Sequence, residues 1–165
     1  MNFEEYVEMY GIDVVHWAHV RTRVRIDLFN FLKELKSYHV QILYANTSEI
    51  EHPETFQVLC ELLEMNTIWA INLGEIRFSQ HQCIELISTI RKTNVCFMFV
   101  DGILVGKDVV RELKDIIRER RRSVTAPPWL ITNNIKQNRI ILLCRNMWFG
   151  PCSLGRNKKM LSGVK

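Results

Sequence analysis

Apolar residues recur in this chain with a spacing that repeats about every 28 residues. They occupy positions 1, 4, 6 and 9 of each repeat, except that Ser48 stands at the ninth position of the second, and the four repeats begin at Ile12, Val40, Ile68 and Val95. These starts are separated by 28, 28 and 27 residues. One unit of that length cannot bury its own apolar face, so units with such a period stack side by side and share a core.

A segment with helical periodicity follows each of these runs. Pro53 suits the first turn of one helix, Ser79 and Gln82 form a capping box for another, and Asp108 is the expected N-cap of a third. The apolar helix faces are predicted to comprise Leu28, Phe31, Leu32 and Leu35, then Phe56, Leu59, Leu62 and Leu63, then Ile84, Ile87 and Ile90, and finally Val109, Val110, Leu113, Ile116 and Ile117. Four strand–loop–helix units in succession predict an α/β fold with short parallel strands inside and helices outside.

The third unit carries the clearest resemblance to a known family. From Asn66 to Asn94 it resembles a leucine-rich repeat of the long, ribonuclease-inhibitor-like class, in which L-x-x-L-x-L-x-x-N precedes a helix. The resemblance covers residues 10–122 and implies a short solenoid of about four units. Another βα stack with the same spacing is the alternative, because the ninth position, usually Asn in the family, is degenerate. It holds Val20, Ser48, Ile76 and Ile103.

The repeat period breaks after residue 122. Ala126-Pro127-Pro128 cannot continue a helix, because proline lacks the amide hydrogen and restricts the residue before it. We therefore divide the chain into a repeat array over residues 1–122, a C-terminal helical cap over residues 123–149, and a basic tail over residues 150–165. The cap is expected because the last unit of a stack otherwise exposes an apolar face.

The charges are distributed unevenly along the chain. The net charge of the 165 residues is +4, but residues 123–165 contain seven Lys or Arg and no acidic residue, which leaves −3 on residues 1–122. An electrostatic partner is therefore expected to meet the C-terminal segment. The candidate basic patch comprises Arg118, Arg120, Arg121, Arg122, Arg156, Lys158 and Lys159.

Two interpretations of this basic patch are open. The simpler one is a solvated helix end, where positive side chains complement the helix dipole. The other is a phosphate-binding surface, because Trp129, Trp148 and Phe149 would offer stacking platforms for nucleic-acid bases beside the charges.

The strands predict a second candidate surface. Side chains alternate along a strand, so positions 4 and 6 face the core while positions 3, 5 and 7 face outward. Aromatic residues gathered on an outward face are typical of protein interfaces. The predicted partner-binding residues are His16, Ile42, Tyr44, Asn72, Phe97, Phe99 and Asp101. The alternatives are that the C-terminal segment folds back over this face, or that the register differs by one residue.

The sequence contains no pattern that indicates catalysis. The segment from Gly102 to Asp108 is one residue too short between its glycines for a phosphate loop, and it lacks the Ser or Thr that would bind magnesium. The five histidines and five cysteines show neither H-E-x-x-H nor C-x-x-C spacing. We therefore predict a protein that is not an enzyme and that requires neither metal nor cofactor.

These patterns predict a protein–protein interaction module, an adaptor or a subunit of a larger assembly, which binds through its strand face and is tethered by its basic tail. The alternative is a nucleic-acid-associated subunit anchored by the basic C-terminal segment. No apolar run reaches the length of a membrane span. The odd number of cysteines and an N-terminus without an apolar leader predict an intracellular location, cytoplasmic or nuclear.

Overall fold

The computed structural model describes residues 1–74, 76–100 and 106–123, so the predicted cap and tail, apart from Ser123, lie outside the described residues. The helices are α1 (Phe3–Tyr10), α2 (Trp17–Arg21), α3 (Leu28–Leu35), α4 (Pro53–Glu64), α5 (Gln80–Arg91) and α6 (Lys107–Ser123). The strands are β1 (Val14–His16), β2 (Ile42–Tyr44), β3 (Ala70–Gly74) and β4 (Phe97–Val100). A 3₁₀ turn at Ser48–Glu51 precedes α4.

The four strands form one parallel sheet in chain order, β1-β2-β3-β4. The pairing register aligns the residues at position 4 of each repeat, and none of them is more than 1% exposed. These residues are Val15, Leu43, Ile71 and Met98. The predicted α/β class and parallel strands are therefore confirmed, as is the register of positions 3 to 5. At position 7 the prediction is wrong, because Gly74 pairs with Val100 and not with Asp101, after an irregularity between Asn72 and Gly74.

The longer helices also pack in chain order, α3 against α4, α4 against α5, and α5 against α6. Pro53 lies in the first turn of α4, as predicted. The predicted capping box of α5 is present, because the Ser79 hydroxyl accepts from the Gln82 amide at 3.1 Å and the Gln82 side chain accepts from the Ser79 amide at 3.0 Å. All the predicted core residues of α3 and α4 are buried.

Two details of the predicted helices are wrong. Ile84 is 61% exposed, and α5 buries Cys83 and Leu86 in addition to Ile90, which is buried as predicted. The prediction for α5 assumed that its buried residues lie 28 positions after those of α4. Over its first turns, α5 instead buries the residues one position earlier, Cys83 and Leu86. The last helix begins at Lys107 and not after Asp108, so that Asp108 lies in its first turn.

Helix α1 was not predicted by the repeat pattern. It begins with its own capping box, in which the Asn2 side chain accepts from the Glu5 amide at 2.8 Å and the Glu5 carboxylate accepts from the Asn2 amide at 2.9 Å. Its Phe3 ring packs edge-on against Phe31 of α3 at 5.7 Å and against Tyr38 at 5.6 Å. Helix α1 therefore adds to the core at the first unit.

None of the helices within the described part of the chain combines the length and apolar character needed to cross a bilayer.

Candidate functional site

The sheet brings the predicted partner-binding residues of the four strands into two rows. One row contains His16, Tyr44, Asn72 and Phe99, and the other contains Val14, Ile42, Ala70 and Phe97. These eight residues are called the strand face below. Asp101, which was predicted to extend this surface, lies outside the described residues.

The sequence predicts that all members of the strand face point outward, but their side chains are exposed to very different extents. His16 is exposed, and Tyr44, Phe97 and Phe99 are half-buried. Ile42 and Asn72 are only 2% and 6% exposed, so they lie beneath the surface and not on it. Both belong to the central strands β2 and β3, whereas His16 belongs to the edge strand β1.

His16 and Tyr44 form a stacked pair on adjacent strands. Their ring centroids are 3.9 Å apart and their planes differ by 7°. Partial burial lowers the pKa of His16 from its usual value, and the neighbouring His19 lowers it further. The pair therefore presents a flat aromatic surface whose imidazole favours its neutral form.

A second group of aromatic and basic side chains adjoins His16, and we call Tyr10, His19 and Arg23 the edge cluster. The Tyr10 ring meets the His19 ring edge-on at 4.8 Å, and the Arg23 guanidinium lies 5.5 Å from the centre of the Tyr10 ring. His19 Nδ1 and the Tyr6 hydroxyl are hydrogen-bonded at 2.5 Å. Desolvation, followed by the charge of Arg23, lowers the pKa of His19, and burial raises the pKa of Tyr6.

His19 lies near the strand face, as its position in the sequence suggests, but Tyr10 and Arg23 were not predicted because neither belongs to the 28-residue pattern. The sequence feature that could have indicated Arg23 is the alternation Arg21-Thr22-Arg23-Val24-Arg25, in which every second residue is arginine. Tyr10 gave no such signal, because only the tertiary fold brings α1 beside the end of α2.

The basic patch predicted at the end of α6 is only partly available to a partner. The Arg120 guanidinium donates to the backbone carbonyls of Ile90 at 2.8 Å, Val95 at 2.9 Å and Arg91 at 3.3 Å. Burial lowers the pKa of Arg120. Its role as a surface charge is therefore corrected to a structural one, because it ties α6 to the end of α5 and the start of β4.

Of the other members of the basic patch, Arg118 alone has a side chain within the described part of the chain. Arg118 is exposed and lies 3.8 Å from Asp115 one turn earlier. Arg121 and Arg122 continue the backbone of α6, but their side chains lie outside the described part. Three further members, Arg156, Lys158 and Lys159, also lie outside the described residues.

A groove and three buried cysteines within the described residues are candidates for ligand binding and for nucleophilic chemistry, respectively. The groove lies between α3 and α4, has a volume of about 490 Å³, and is lined by Phe29, Pro53, Glu54, Gln57 and Val58. Burial raises the pKa of the Cys60 thiol to about 12, which suppresses the nucleophilic thiolate. No group of three His, Cys, Asp or Glu side chains within residues 1–74, 76–100 and 106–123 lies close enough together to hold a metal ion.

Comparison of the chain with protein-family models, with curated proteins and with solved structures finds no match.

Proposed function

We propose that this protein is a protein–protein interaction module, an adaptor or a subunit of a larger assembly, whose strand face binds the partner. We further propose that it is a short leucine-rich-repeat-like solenoid of about four units. The observation that carries the functional proposal is the row of His16, Tyr44 and Phe99 beside Phe97, which gathers partly exposed rings from three of the four strands.

Hydrogen bonds between equivalent positions of successive units support the solenoid. The Asp13 carbonyl accepts from the Gln41 amide at 2.9 Å, Gln41 from Trp69 at 2.8 Å, and Trp69 from Cys96 at 2.9 Å. A side-chain bond repeats the same spacing, because the Asn66 amide oxygen accepts from the backbone of Asn94 at 3.1 Å. Such links between nearest neighbours are what stacked repeats require.

The chemistry of the strand face favours a protein as the occupant. Aromatic side chains with little conformational freedom provide most of the binding energy in protein interfaces. The stacked His16–Tyr44 pair is already ordered, so binding would cost little side-chain entropy there. Tyr44 and His16 also add polar atoms at the rim of an otherwise apolar row.

The test is recovery of partners by the full chain from a nuclease-treated cell extract, quantified by mass spectrometry. We expect the triple variant Tyr44→Ala/Phe97→Ala/Phe99→Ala to recover at least about tenfold less of any partner, because three interface anchors are removed. The matched control is Met65→Ala/Ile84→Ala, which truncates two exposed apolar side chains at other positions. Thermal melting of both variants separates lost binding from lost folding.

Unchanged recovery by the folded triple variant would contradict the proposal. Recovery that disappears with nuclease in the unaltered chain would instead support the nucleic-acid-associated alternative. The control variant is expected to retain recovery within about twofold, since isolated exposed apolar residues contribute little to specific binding.

A further inference from the structure

Three arginines lie within five residues at the end of α2, and each of them is exposed. They are Arg21, Arg23 and Arg25. Val24, between the last two, is 5% exposed and anchors the turn in the core. Within the described residues, none of the three guanidinium groups lies within 4 Å of a carboxylate. These three residues, called the arginine turn below, therefore form a positive patch that no acidic side chain of the described chain neutralises.

Arg23 is held in a defined position within the arginine turn. Its Nε donates to the Tyr10 hydroxyl at 3.3 Å, and its Nη1 donates to the Thr22 hydroxyl at 2.9 Å and to the His19 carbonyl at 3.3 Å. A guanidinium fixed through one edge loses less entropy when its remaining N–H groups bind an anion. Arg21 and Arg25 lie two residues before and two residues after this fixed group, and both are exposed.

The arginine turn adjoins the β1 end of the strand face through the short helix α2. Tyr44 stacks on His16, the last residue of β1, and α2 begins at the next residue. Within α2, His19 meets Tyr10 edge-on. Tyr10 in turn lies against Arg23. A partner seated on the β1 end of the strand face would therefore extend over the arginine turn.

We infer that the arginine turn binds an acidic segment of the protein partner, through carboxylates that pair with Arg21, Arg23 and Arg25. This inference rests on the proposed protein-binding function of the strand face. The planar guanidinium matches a carboxylate with two parallel hydrogen bonds, and the turn contains arginine only and no lysine.

The charge of the surrounding chain favours a short acidic segment over a nucleic acid. Residues 1–122 carry a net charge of −3, so a long polyanion laid across them would be repelled outside the arginine turn. A short acidic segment meets only the local positive patch. The apolar strand face beside it then accommodates the remainder of the same partner.

The test uses the full chain and a fluorescein-labelled octaglutamate peptide, with octaglutamine as the uncharged probe, followed by fluorescence anisotropy at low salt. We expect Arg21→Gln/Arg25→Gln to weaken octaglutamate binding by about tenfold, since two charge-assisted contacts are lost. The matched control Arg91→Gln/Arg111→Gln removes the same charge from two arginines that already pair with Glu112 and Asp108. It is expected to change binding by less than about twofold.

A local measurement separates binding at the turn from binding to the basic C-terminal segment. Bound octaglutamate is expected to raise the pKa of His19, followed by nuclear magnetic resonance, because a nearby negative charge stabilises the imidazolium. The Arg21→Gln/Arg25→Gln variant should reduce this rise. A pKa of His19 that does not respond to the peptide would overturn the inference.

Two other outcomes would also overturn it. One is that both double variants weaken octaglutamate binding equally, which would indicate that binding depends on the net charge of the protein alone. The other is tighter binding of a single-stranded oligothymidylate that depends on Arg21 and Arg25, which would assign the turn to nucleic acid. The strand-face triple variant separates the two proposals, because it should leave octaglutamate binding unchanged even where partner recovery is lost.

Discussion

At the scale of single residues, Arg120 shows how one side chain changes role between sequence and fold. In the sequence it belongs to a run of arginines that indicates a surface charge. In the fold its guanidinium donates hydrogen bonds to three backbone carbonyls where α5, β4 and α6 meet. Carbonyls at a helix end have no partner within the helix. The Ile90 carbonyl already accepts from the Thr93 amide at 3.2 Å, and Arg120 adds a charged donor to it and to two further carbonyls.

We predict that Arg120→Met destabilises the protein by about 2 kcal/mol, because it removes charge-assisted bonds to partly buried carbonyls. For a chain of this size the melting temperature should fall by about 5 °C. The measurement is urea and thermal unfolding followed by circular dichroism. Arg118→Met is the matched control, and its exposed ion pair with Asp115 should contribute no more than about 0.5 kcal/mol. Equal losses in the two variants would contradict the assigned role of Arg120.

At the scale of elements, the junction between β2 and β3 depends on one glycine. Gly74 ends β3 with a φ of +60°, a conformation that side chains other than glycine rarely adopt. The sheet is irregular between Asn72 and Gly74. A Cβ added at Gly74 would overlap the side chain of Asn46, which lies just beyond β2 in the preceding unit. The close approach of successive units here requires the absence of a side chain.

We predict that Gly74→Ala costs about 3 kcal/mol in unfolding free energy, from backbone strain together with the overlap. In the Asn46→Ala background the same substitution should cost only about 1 kcal/mol, because the overlap is relieved and the backbone term remains. The measurement is a double-mutant cycle by urea unfolding. An identical cost in both backgrounds would show that Asn46 does not limit the space at this junction.

At the scale of the whole molecule, units linked to their nearest neighbours should tolerate the loss of one unit. Deletion of residues 41–68 removes one 28-residue period and joins Val40 to Trp69 in register. The Asp13 carbonyl, which accepts from the Gln41 amide, would then meet the equivalent amide of Trp69. We predict a cooperatively folded protein with a lower melting temperature, because stability in a stack is a sum over units and their interfaces.

The control for this prediction deletes half a period, residues 41–54. That deletion removes β2 and the start of α4 together, so the remaining helix and strand patterns no longer alternate in phase. It should abolish cooperative unfolding, measured by calorimetry and circular dichroism. A full-period deletion that unfolds as completely as the half-period one would contradict the solenoid proposal.

The sequence by itself determined the α/β class, the four strand units and their register at positions 3 to 5. A period of 28 aligns every strand with the next, and a shift of one residue would turn the core residues Val15, Leu43 and Ile71 outward. The strong amphipathic faces of α3 and α4 were predictable for the same reason. The candidate strand face follows from this alternation, which is why its rows were assigned correctly.

Tertiary structure alone decided how exposed those rows are and which charges stay available. Ile42 and Asn72 occupy outward positions of their strands as His16 does, but they are only 2% and 6% exposed. Burial and electrostatic pairing depend on side chains distant in sequence, which a local pattern does not contain. The same reason explains Arg120 bonded to α5 and β4, and Tyr10 brought beside Arg23 at the end of α2.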